Sequence, residues 1–328
     1  MVFTMEIPVS RPFRFAVQAY RPESGAAWRD LARKVEDLGF STLHTSDHYL
    51  GAGPVSEATG HRPVTLAPVP AMAVAAEVTS TLRIGCRMFC VGYHHSYVLA
   101  KEIATLAELS GGRTEVGLGA GWLKAEYEAM GLAFPSAGQR VTHLAEFLEM
   151  VKDFLAGRSA ATEGEHVRVR DMAPLPLLAS PPPLMVGGGA PRVLRLAGAQ
   201  ADIVSINFNN RSGVIGADSV ASSGHFETVR KLGWVREGAG ERYDDLELEF
   251  AAYFLAVEGG ATTEEQLIAM TGLTGENLRT FPHALVGSVN AVCEELERRR
   301  KVYGFSYVTI GDRAVEAFAP VVQRLTGR

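Results

Sequence analysis

The sequence predicts an α/β fold, a single (β/α)8 TIM-type barrel with insertions at the carboxyl-terminal face of its strands. Two observations lead to this prediction. Eight short apolar segments alternate along 328 residues with longer segments of helical periodicity. No flexible linker rich in Pro, Gly or Ser divides the chain, so we expect one domain over residues 1–328. The alternative is a doubly wound sheet with insertions.

The first half of the chain follows this alternation closely. The predicted strands are 13–19, 42–45, 82–89 and 113–118. The predicted helices are 26–38, 66–78, 96–109 and 137–156. Gly39 follows the first helix and Gly111 the third, positions at which helices commonly end. Alternating polar and apolar residues within 157–171 predict a surface hairpin.

The second half is less regular. Its predicted strands are 184–186, 202–206, 246–256 and 307–310. Its predicted helices are 191–200, 288–303 and 314–325. The stretch that leads to Arg242 and the residues behind the seventh strand carry no clear pattern. Residues 174–183 are rich in proline, which predicts a stiff connection within one body.

Composition excludes several classes of protein. A net charge of -5 at pH 7 argues against nucleic acid as a partner, because phosphate binding needs a basic surface. No stretch approaches the roughly 18 apolar residues of a membrane span, and residues 1–14 lack the apolar core of a secretory signal. Three cysteines, an odd number, favour a reducing cytoplasm. We therefore expect a cytoplasmic protein that acts on a small molecule.

An acid and an imidazole, Asp47 and His48, follow directly after the second predicted strand. In a barrel, the carboxyl ends of the strands and the loops after them carry the chemistry. Histidine titrates near neutral pH, and a nearby carboxylate favours its charged form, which suits proton transfer. The alternative is a turn in which Asp47 caps backbone amides and His48 has no function.

Two glycine-rich turns occupy the same predicted face. "VGLGAGW" at 116–122 ends strand four, and "LMVGGGAPRVLRLAG" at 184–198 ends strand five and opens a helix. Glycines let the backbone approach an anion closely, and a helix amino terminus attracts phosphate. Neither turn matches a dinucleotide or P-loop fingerprint. Two such turns at successive strand ends indicate a phosphate site, although tight turns require glycine in any case.

The sequence does not favour a metal centre. Cys86 and Cys90 share a strand face about 13 Å apart at ~3.3 Å per residue, which is too far to bind one ion together with His94 and His95. The sequence also lacks the Gly-x-Ser-x-Gly and His-Glu-x-x-His motifs of serine hydrolases and zinc proteases. We therefore expect no metal.

Four blocks of the sequence resemble the luciferase-like monooxygenase superfamily. They are "SDHY" at 46–49, the segments 82–122 and 181–204, and "GFSYVTIGD" at 304–312. Their order and the "SDH" motif most resemble the branch that uses the deazaflavin coenzyme F420. The resemblance implies a TIM barrel with an inserted lid, a tricyclic ring across the strand ends, and family members that are commonly homodimers.

The resemblance also implies a cofactor site. Backbone amides of the loops after strands four and five would bind the phosphate, and Asp47 would hydrogen-bond the ring region and orient its neighbour. His48 would donate or accept the proton beside the hydride-carrying carbon. A bulge at the end of strand three, with a non-proline cis peptide at Arg87–Met88, would press behind the ring, although Arg87 replaces the family's usual small residue. The phosphate and bulge residues are Ala120, Gly121, Gly187, Gly188, Gly189, Arg87, Met88 and Cys90.

The substrate pocket is predicted to be aromatic. Trp122 stands where family members that oxidise sugar phosphates carry a catalytic Glu, and the later loops show no lysine cluster. Tyr20 and Tyr49 lie near other strand ends and add apolar faces. We therefore expect hydride transfer from reduced F420 to a C=C, C=N or C=O bond of a largely apolar molecule. The alternatives are an FMN-dependent monooxygenase that uses dioxygen and a non-catalytic flavin-binding barrel.

Overall fold

The computed structural model describes residues 11–210, 213 and 217–328. Its strands in chain order are β1 (Arg14–Gln18), β2 (Thr42–Thr45), β3 (Arg83–Cys90), β4 (Thr114–Gly119), β5 (Ala160–Glu163), β6 (Arg168–Met172), β7 (Leu184–Gly188), β8 (Ile203–Ile206), β9 (Glu247–Ala252), β10 (Phe254–Val257), β11 (Ala284–Gly287) and β12 (Phe305–Gly311). Eight of them close into a barrel in the order β1-β2-β3-β4-β7-β8-β9-β12, and all neighbours are parallel. The predicted (β/α)8 barrel is confirmed.

Helices connect the barrel strands and cover the outside of the barrel. In chain order they are α1 (Gly25–Asp37), α2 (Pro54–Thr59), α3 (Pro68–Glu77), α4 (Ser96–Leu109), α5 (Lys124–Ala129), α6 (Ala137–Leu155), α7 (Pro191–Gln200), α8 (Ala217–Ala221), α9 (His225–Ala239), α10 (Glu264–Thr271), α11 (Gly275–Thr280), α12 (Val289–Tyr303) and α13 (Val315–Leu325). The Ser136 hydroxyl accepts from the Gln139 amide in a capping box that opens α6. The alanine-rich α3 buries Ala71, Met72, Ala75 and Ala76 within the chain itself.

The predicted hairpin is present. β5 and β6 pair antiparallel between α6 and β7, within the segment 157–171 and one residue beyond it. The Glu146 carboxylate on α6 accepts hydrogen bonds from the backbone amides of Glu165, His166 and Val167 in the hairpin turn. Burial would raise the pKa of Glu146, but these amide bonds outweigh it and lower that pKa. The insertion is therefore fixed to the barrel wall.

The prediction of one long strand over 246–256 is wrong. β9 leaves the barrel after Ala252, and β10 pairs instead with β11, outside the barrel. β10 and the helices α10 and α11 bury a small separate apolar cluster that includes Phe254, Leu278 and Phe281. Both strands are apolar because each meets a core, so the run of hydrophobic residues does not reveal where the chain passes from one core to the other.

The unpatterned stretch before Arg242 contains a helix that the sequence did not predict. α9 has two glycines, Gly233 and Gly238, and few strongly apolar residues, so its periodicity is weak. Gly238 is required for packing, since a Cβ atom there would lie 2.0 Å from the carbonyl oxygen of Arg195 on α7. The helix is stabilised by this close contact with α7 rather than by an amphipathic face.

Paired charges close the amino-terminal end of the barrel. Arg14 on β1 bonds Glu115 on β4 at 2.7 Å and Glu247 on β9 at 2.6 Å. The Tyr307 hydroxyl donates to Glu115 and lies 2.9 Å from His44 Nε2. Because the Arg14 charge is paired with both carboxylates, we assign this cluster to stability, and the chemistry is expected at the opposite end of the barrel.

Two features are absent from the described ranges. No helix there is both long and apolar enough to cross a bilayer. No group of three or more His, Cys, Asp or Glu side chains in that part of the chain is arranged to hold a metal ion. Most of the segment for which we expect no secretory signal, residues 1–10, lies outside the described residues.

Candidate active site at the carboxyl-terminal rim

The predicted site residues come from separate segments that meet at one rim of the barrel. The register pairs Thr45 with Cys86, Cys90 with Gly119, and Leu118 with Val186. The carboxyl ends of β2, β3, β4 and β7 are therefore consecutive around the barrel. The loop with Asp47 and His48, the β3 bulge and both glycine turns are neighbours for this reason.

Asp47 serves the loop after β3 rather than its neighbour His48. Its side chain is buried, and Oδ2 accepts from the Cys90 amide at 2.8 Å and from His94 Nε2 at 2.8 Å. The tight contact with His94 was not anticipated from the sequence. Burial and the nearby Asp47 carboxylate raise the pKa of the Tyr49 phenol. Asp47 thus fixes the segment that follows the bulge.

The partner of His48 is Glu126 on α5, a residue that sequence reasoning missed. His48 Nδ1 lies 2.6 Å from Glu126 Oε2, which also accepts from the Tyr93 hydroxyl at 2.9 Å. The other carboxylate oxygen accepts from the Tyr49 amide. Burial would raise the pKa of Glu126, but the hydrogen bonds and charge of His48 outweigh it and lower that pKa. An ionised Glu126 makes Nδ1 the donor and leaves Nε2 of His48 for other contacts.

Two rings lie next to the imidazole of His48, and a third packs against one of them. The His61 ring lies 4.0 Å from that imidazole, and Trp122 lies 6.1 Å from His48 and 6.0 Å from His61, measured between ring centroids. Tyr20 contacts His61 at 6.2 Å. Burial and the neighbouring His48 lower the pKa of His61 to about 4, so it is neutral at pH 7, and its Nδ1 donates to the Arg62 carbonyl.

Two of the three predicted pocket residues, Tyr20 and Trp122, therefore lie in this aromatic group. Tyr49 does not pack with them: 45% of it is exposed, and its ring contacts Tyr93 at 6.2 Å. Burial raises the pKa of the Tyr20 phenol, which stays protonated. No signal in the sequence identified His61, which lies in the loop after α2.

The peptide bond between Arg87 and Met88 is cis, as the resemblance implied. The pairing of β3 with β4 shifts between Cys86 and Phe89, so the bulge is also present. The Met88 side chain lies against Gly187, where an added Cβ would come within 1.9 Å of Met88 Cε. A larger residue at Gly187 would therefore displace the end of the Met88 side chain and the amide of Asn207.

Arg87 is compensated inside the barrel. Its guanidinium donates to Glu249 at 3.0 and 3.1 Å, to Ser205 at 2.9 Å and to Asn207 at 2.9 Å. Burial works against the charge, but Glu249 outweighs it and raises the pKa of Arg87. Because the residue is only 6% exposed, its charge lies inside the barrel. The Arg87 carbonyl accepts from Gln18 Nε2 at 2.6 Å.

The glycine turns present backbone amides. Within the described part of the chain, the amides of Ala120, Gly121 and Gly189 have no hydrogen-bond acceptor. Gly121 has φ 78°, and a Cβ there would lie 2.4 Å from the Tyr127 hydroxyl and 2.6 Å from Cys90 Sγ. α7 begins at Pro191 without a side-chain cap. These free donors beside a helix amino terminus are suited to an anion.

Comparison with known proteins identifies relatives. The family model described as luciferase-like monooxygenase matches residues 5–215. An F420-dependent glucose-6-phosphate dehydrogenase of Nakamurella multipartita is 29% identical over 242 residues, which are 72% of this chain and 66% of that protein. The chain spans 57% and 52% of two further dehydrogenases of the same description, from Kineococcus radiotolerans and Amycolatopsis mediterranei.

Solved structures share the fold. The F420-dependent tetrahydromethanopterin reductase from Methanopyrus kandleri superimposes with a TM-score of 0.73 at 18% identity, covering 96% of this chain and 100% of that one. A riboflavin lyase with modified FMN and riboflavin gives a TM-score of 0.71 at 14% identity, covering 96% and 92%. The family match covers more than half of the sequence and includes β1 to β8, the strands that bring Asp47, His48 and both glycine turns together. By this match the chain belongs to the luciferase-like monooxygenase family.

Proposed function

We propose that the protein is a coenzyme F420-dependent oxidoreductase that transfers hydride from the reduced cofactor to a C=C, C=N or C=O bond. The observation that carries this proposal is the His48–Glu126 pair, which lies among aromatic side chains. At the same rim, two glycine turns have backbone amides that are free to bind an anion. Curated relatives described as F420-dependent support the choice of cofactor.

The residues of the rim are suited to a cofactor that has a three-ring system and a phosphate, as a deazaflavin does. The free amides of Ala120, Gly121 and Gly189 and the uncapped start of α7 would hold the phosphate. The bulge at Arg87–Met88 and the Cys90 backbone, fixed by Asp47, would hold one face of the ring. A bound deazaflavin would supply the hydride carrier, a chemistry that protein side chains lack.

The side chains around His48 would supply the proton. Glu126 holds the Nδ1 proton and compensates a positive charge, so that Nε2 can deliver a proton to the substrate or accept one from it. Tyr93 and the Tyr49 amide hold Glu126 in place from the other side. Trp122 and His61, with Tyr20 packed behind His61, would keep water away from the imidazole and so strengthen its electrostatic pairing with Glu126.

A largely apolar substrate agrees with the side chains at hand. Lys231, a buried lysine below the rim, donates to the Asn207 carbonyl at 2.6 Å and to Ser223 at 2.8 Å, so its ammonium is already engaged. Trp122 offers a flat apolar face. Glucose 6-phosphate, the substrate in the relative's name, is therefore expected to be a poor substrate for this chain.

Two other functions remain as alternatives. One is an FMN-dependent monooxygenase, since the riboflavin lyase with modified FMN has the same fold. The other is a barrel that binds a flavin without turnover. We also propose a homodimer and a cytoplasmic location. Analytical ultracentrifugation over a range of protein concentrations tests the homodimer, because a single monomer species would contradict it. Fractionation of the producing cells tests the cytoplasmic location.

Binding isotherms of the purified protein with F420 and with FMN test the proposal. We expect binding of F420 in the micromolar range or tighter and weaker binding of FMN. Micromolar FMN affinity without deazaflavin binding would favour the monooxygenase. Once a substrate is found, His48→Gln should abolish most turnover and leave cofactor affinity unchanged; full turnover in this variant would contradict the role of His48.

A further inference from the structure

Arg87 reaches across the interior of the barrel to the wall that faces His48. It starts on β3, and its guanidinium donates to Asn207, which directly follows β8, at 2.9 Å, and to Glu249 on β9 at 3.0 Å. Around the closed barrel, β8 lies four places from β2, so the loops with Asn207 and His48 stand on opposite sides of the rim. The arginine therefore holds a polar group at the side of the substrate pocket that is away from the proposed proton donor.

The outer end of this polar group is the phenol of Tyr253. This residue follows β9 and is 39% exposed, and its hydroxyl donates to Asn207 Oδ1 at 2.7 Å and accepts from Arg87 Nη1 at 3.3 Å. Asn207 Oδ1 also accepts from Arg87, which fixes the orientation of the amide, since a guanidinium can only donate. The Tyr253 proton is therefore committed to Asn207, and the Tyr253 oxygen can only accept from a further group.

A second phenol, Tyr20, stands between Tyr253 and His48 along the rim. It follows β1, which lies between β12 and β2 in the barrel, and its ring contacts His61 at 6.2 Å. Its amide donates to Asp312 Oδ2 at 3.4 Å, just after β12. Among the residues that the structure describes, the Tyr20 hydroxyl has no hydrogen-bond partner. Burial and the neighbouring Tyr253 raise the pKa of this phenol, so it keeps a proton that it can donate.

The charges beside the two phenols do not favour an anion. Arg87 is paired with Glu249 inside the barrel, and the charges of Arg62 and Asp312 act on the pKa of Tyr20 in opposite directions. An uncharged group that donates one hydrogen bond and accepts another therefore suits the two phenols better than a phosphate or a carboxylate does. A hydroxyl has both capacities.

We infer that Tyr253 and Tyr20 form a hydrogen-bonding subsite for an uncharged hydroxyl of the substrate, at the end of the pocket away from His48. The hydroxyl donates to the Tyr253 oxygen and accepts from the Tyr20 phenol. This inference rests on the proposed deazaflavin function and deepens it, because the largely apolar substrate then carries a hydroxyl apart from the bond that is reduced. The two tyrosines determine specificity, since a site built to hydrogen-bond a hydroxyl discriminates against the analogue that lacks it.

Binding of matched probes to the full chain loaded with oxidised F420 tests the inference. The probes are cyclohexenone, its hydroxyl derivatives and the methyl ethers of those derivatives, and the oxidised cofactor cannot reduce them. Quenching of the cofactor fluorescence measures their dissociation constants. We expect the best hydroxyl derivative to bind about tenfold more tightly than its methyl ether, which has no proton to donate to Tyr253, and than cyclohexenone itself. Tyr253→Phe should remove this preference and leave the dissociation constant of F420 unchanged, and Tyr20→Phe should reduce the preference over cyclohexenone.

Tyr303→Phe is the matched control and should keep the wild-type preference. It removes a buried phenol that bonds His225 at 2.7 Å, at the end of α12 that leads into β12 and thus at the opposite face of the barrel. A wild type that binds F420 but does not prefer the hydroxyl derivatives overturns the inference and leaves the proposed function standing. The inference also fails if Tyr253→Phe keeps the preference, or if it loses F420 affinity, since the phenol would then belong to the cofactor site. A wild type that does not bind F420 overturns the proposed function, and this inference with it.

Discussion

Replacing Glu126 with Gln is the most informative single change at the site. The amide keeps the shape of the side chain and retains an oxygen that can accept from the Tyr49 amide. It removes the negative charge that faces His48 Nδ1 at 2.6 Å and places an NH2 group or a neutral oxygen there instead. A charged imidazole is then no longer compensated.

The size of the effect follows from the hydrogen bonds that are lost. A hydrogen bond to a charged group contributes about 1.5–3 kcal/mol, which corresponds to a rate loss of about 10- to 150-fold if His48 must carry the proton in the transition state. Glu126 is 1% exposed, so solvent screening does not reduce this figure. Tyr93→Phe removes one donor to the same carboxylate but leaves the Glu126 charge opposite His48, so it should slow the reaction by a smaller factor than Glu126→Gln does.

Single-turnover absorbance of the reduced cofactor measures this effect, and a cofactor titration runs beside it. We expect Glu126→Gln to slow hydride transfer and leave the dissociation constant of the cofactor within a factor of about two. Glu128→Gln is the control, since Glu128 lies on the same helix, is 59% exposed and faces Lys124 at 3.6 Å. A Glu126→Gln rate equal to that of Glu128→Gln would refute the pairing as the basis of proton transfer.

Three further predictions concern binding and stability. Gly121→Ala should weaken cofactor binding at least tenfold. A φ of 78° costs an L-residue about 1–2 kcal/mol, and the added Cβ clashes with the Tyr127 hydroxyl and Cys90 Sγ, so the turn must shift. An unchanged binding isotherm would contradict the role of this turn in phosphate binding. Glu249→Gln should lower the free energy of unfolding in urea by about 3–5 kcal/mol, because Arg87 then keeps a buried charge without its partner. The double variant with Arg87→Met should regain part of that stability. An unchanged stability of Glu249→Gln would contradict the pairing. Burial lowers the pKa of His44 from 6.5 to about 3, so the unfolded chain binds the proton first and stability falls as pH drops below 6.5. Urea unfolding should give a free energy of unfolding that is about 2 kcal/mol lower at pH 5 than at pH 7 because of His44. The His44→Gln variant should lack this contribution, and an equal loss in the variant would refute the assignment to His44.

Local sequence patterns were sufficient for the barrel and for the rim. The alternation of apolar runs with helical segments located all eight barrel strands, since each pattern reflects burial that the residue itself undergoes. The loops that carry the predicted site residues lie at one rim, as expected, because chain position places a loop at the carboxyl end of each strand. The sequence did not predict that the chain leaves the barrel at Tyr253. The strands on both sides of this residue are apolar, but they pack into two different hydrophobic cores.

Pairings between distant residues were not accessible in the same way. Glu126 is 78 residues from His48 and resembles any acid on a short surface helix, so nothing marked it as a partner. Arg87 was visible as a departure from the family pattern, but its counter-charge Glu249 lies 162 residues away. Such pairs depend on the register of neighbouring strands and on the position of α5 over the rim. Neither can be predicted from local patterns in a single sequence.

A crystal structure of the protein with F420 tests the central claim most directly. We expect the ring to lie on the Arg87–Met88 bulge, with its hydride-carrying carbon on the side of His48 Nε2 and its phosphate at the amides of Ala120, Gly121 and Gly189. A phosphate bound instead beyond β9 and β12, with the ring away from His48, would contradict it.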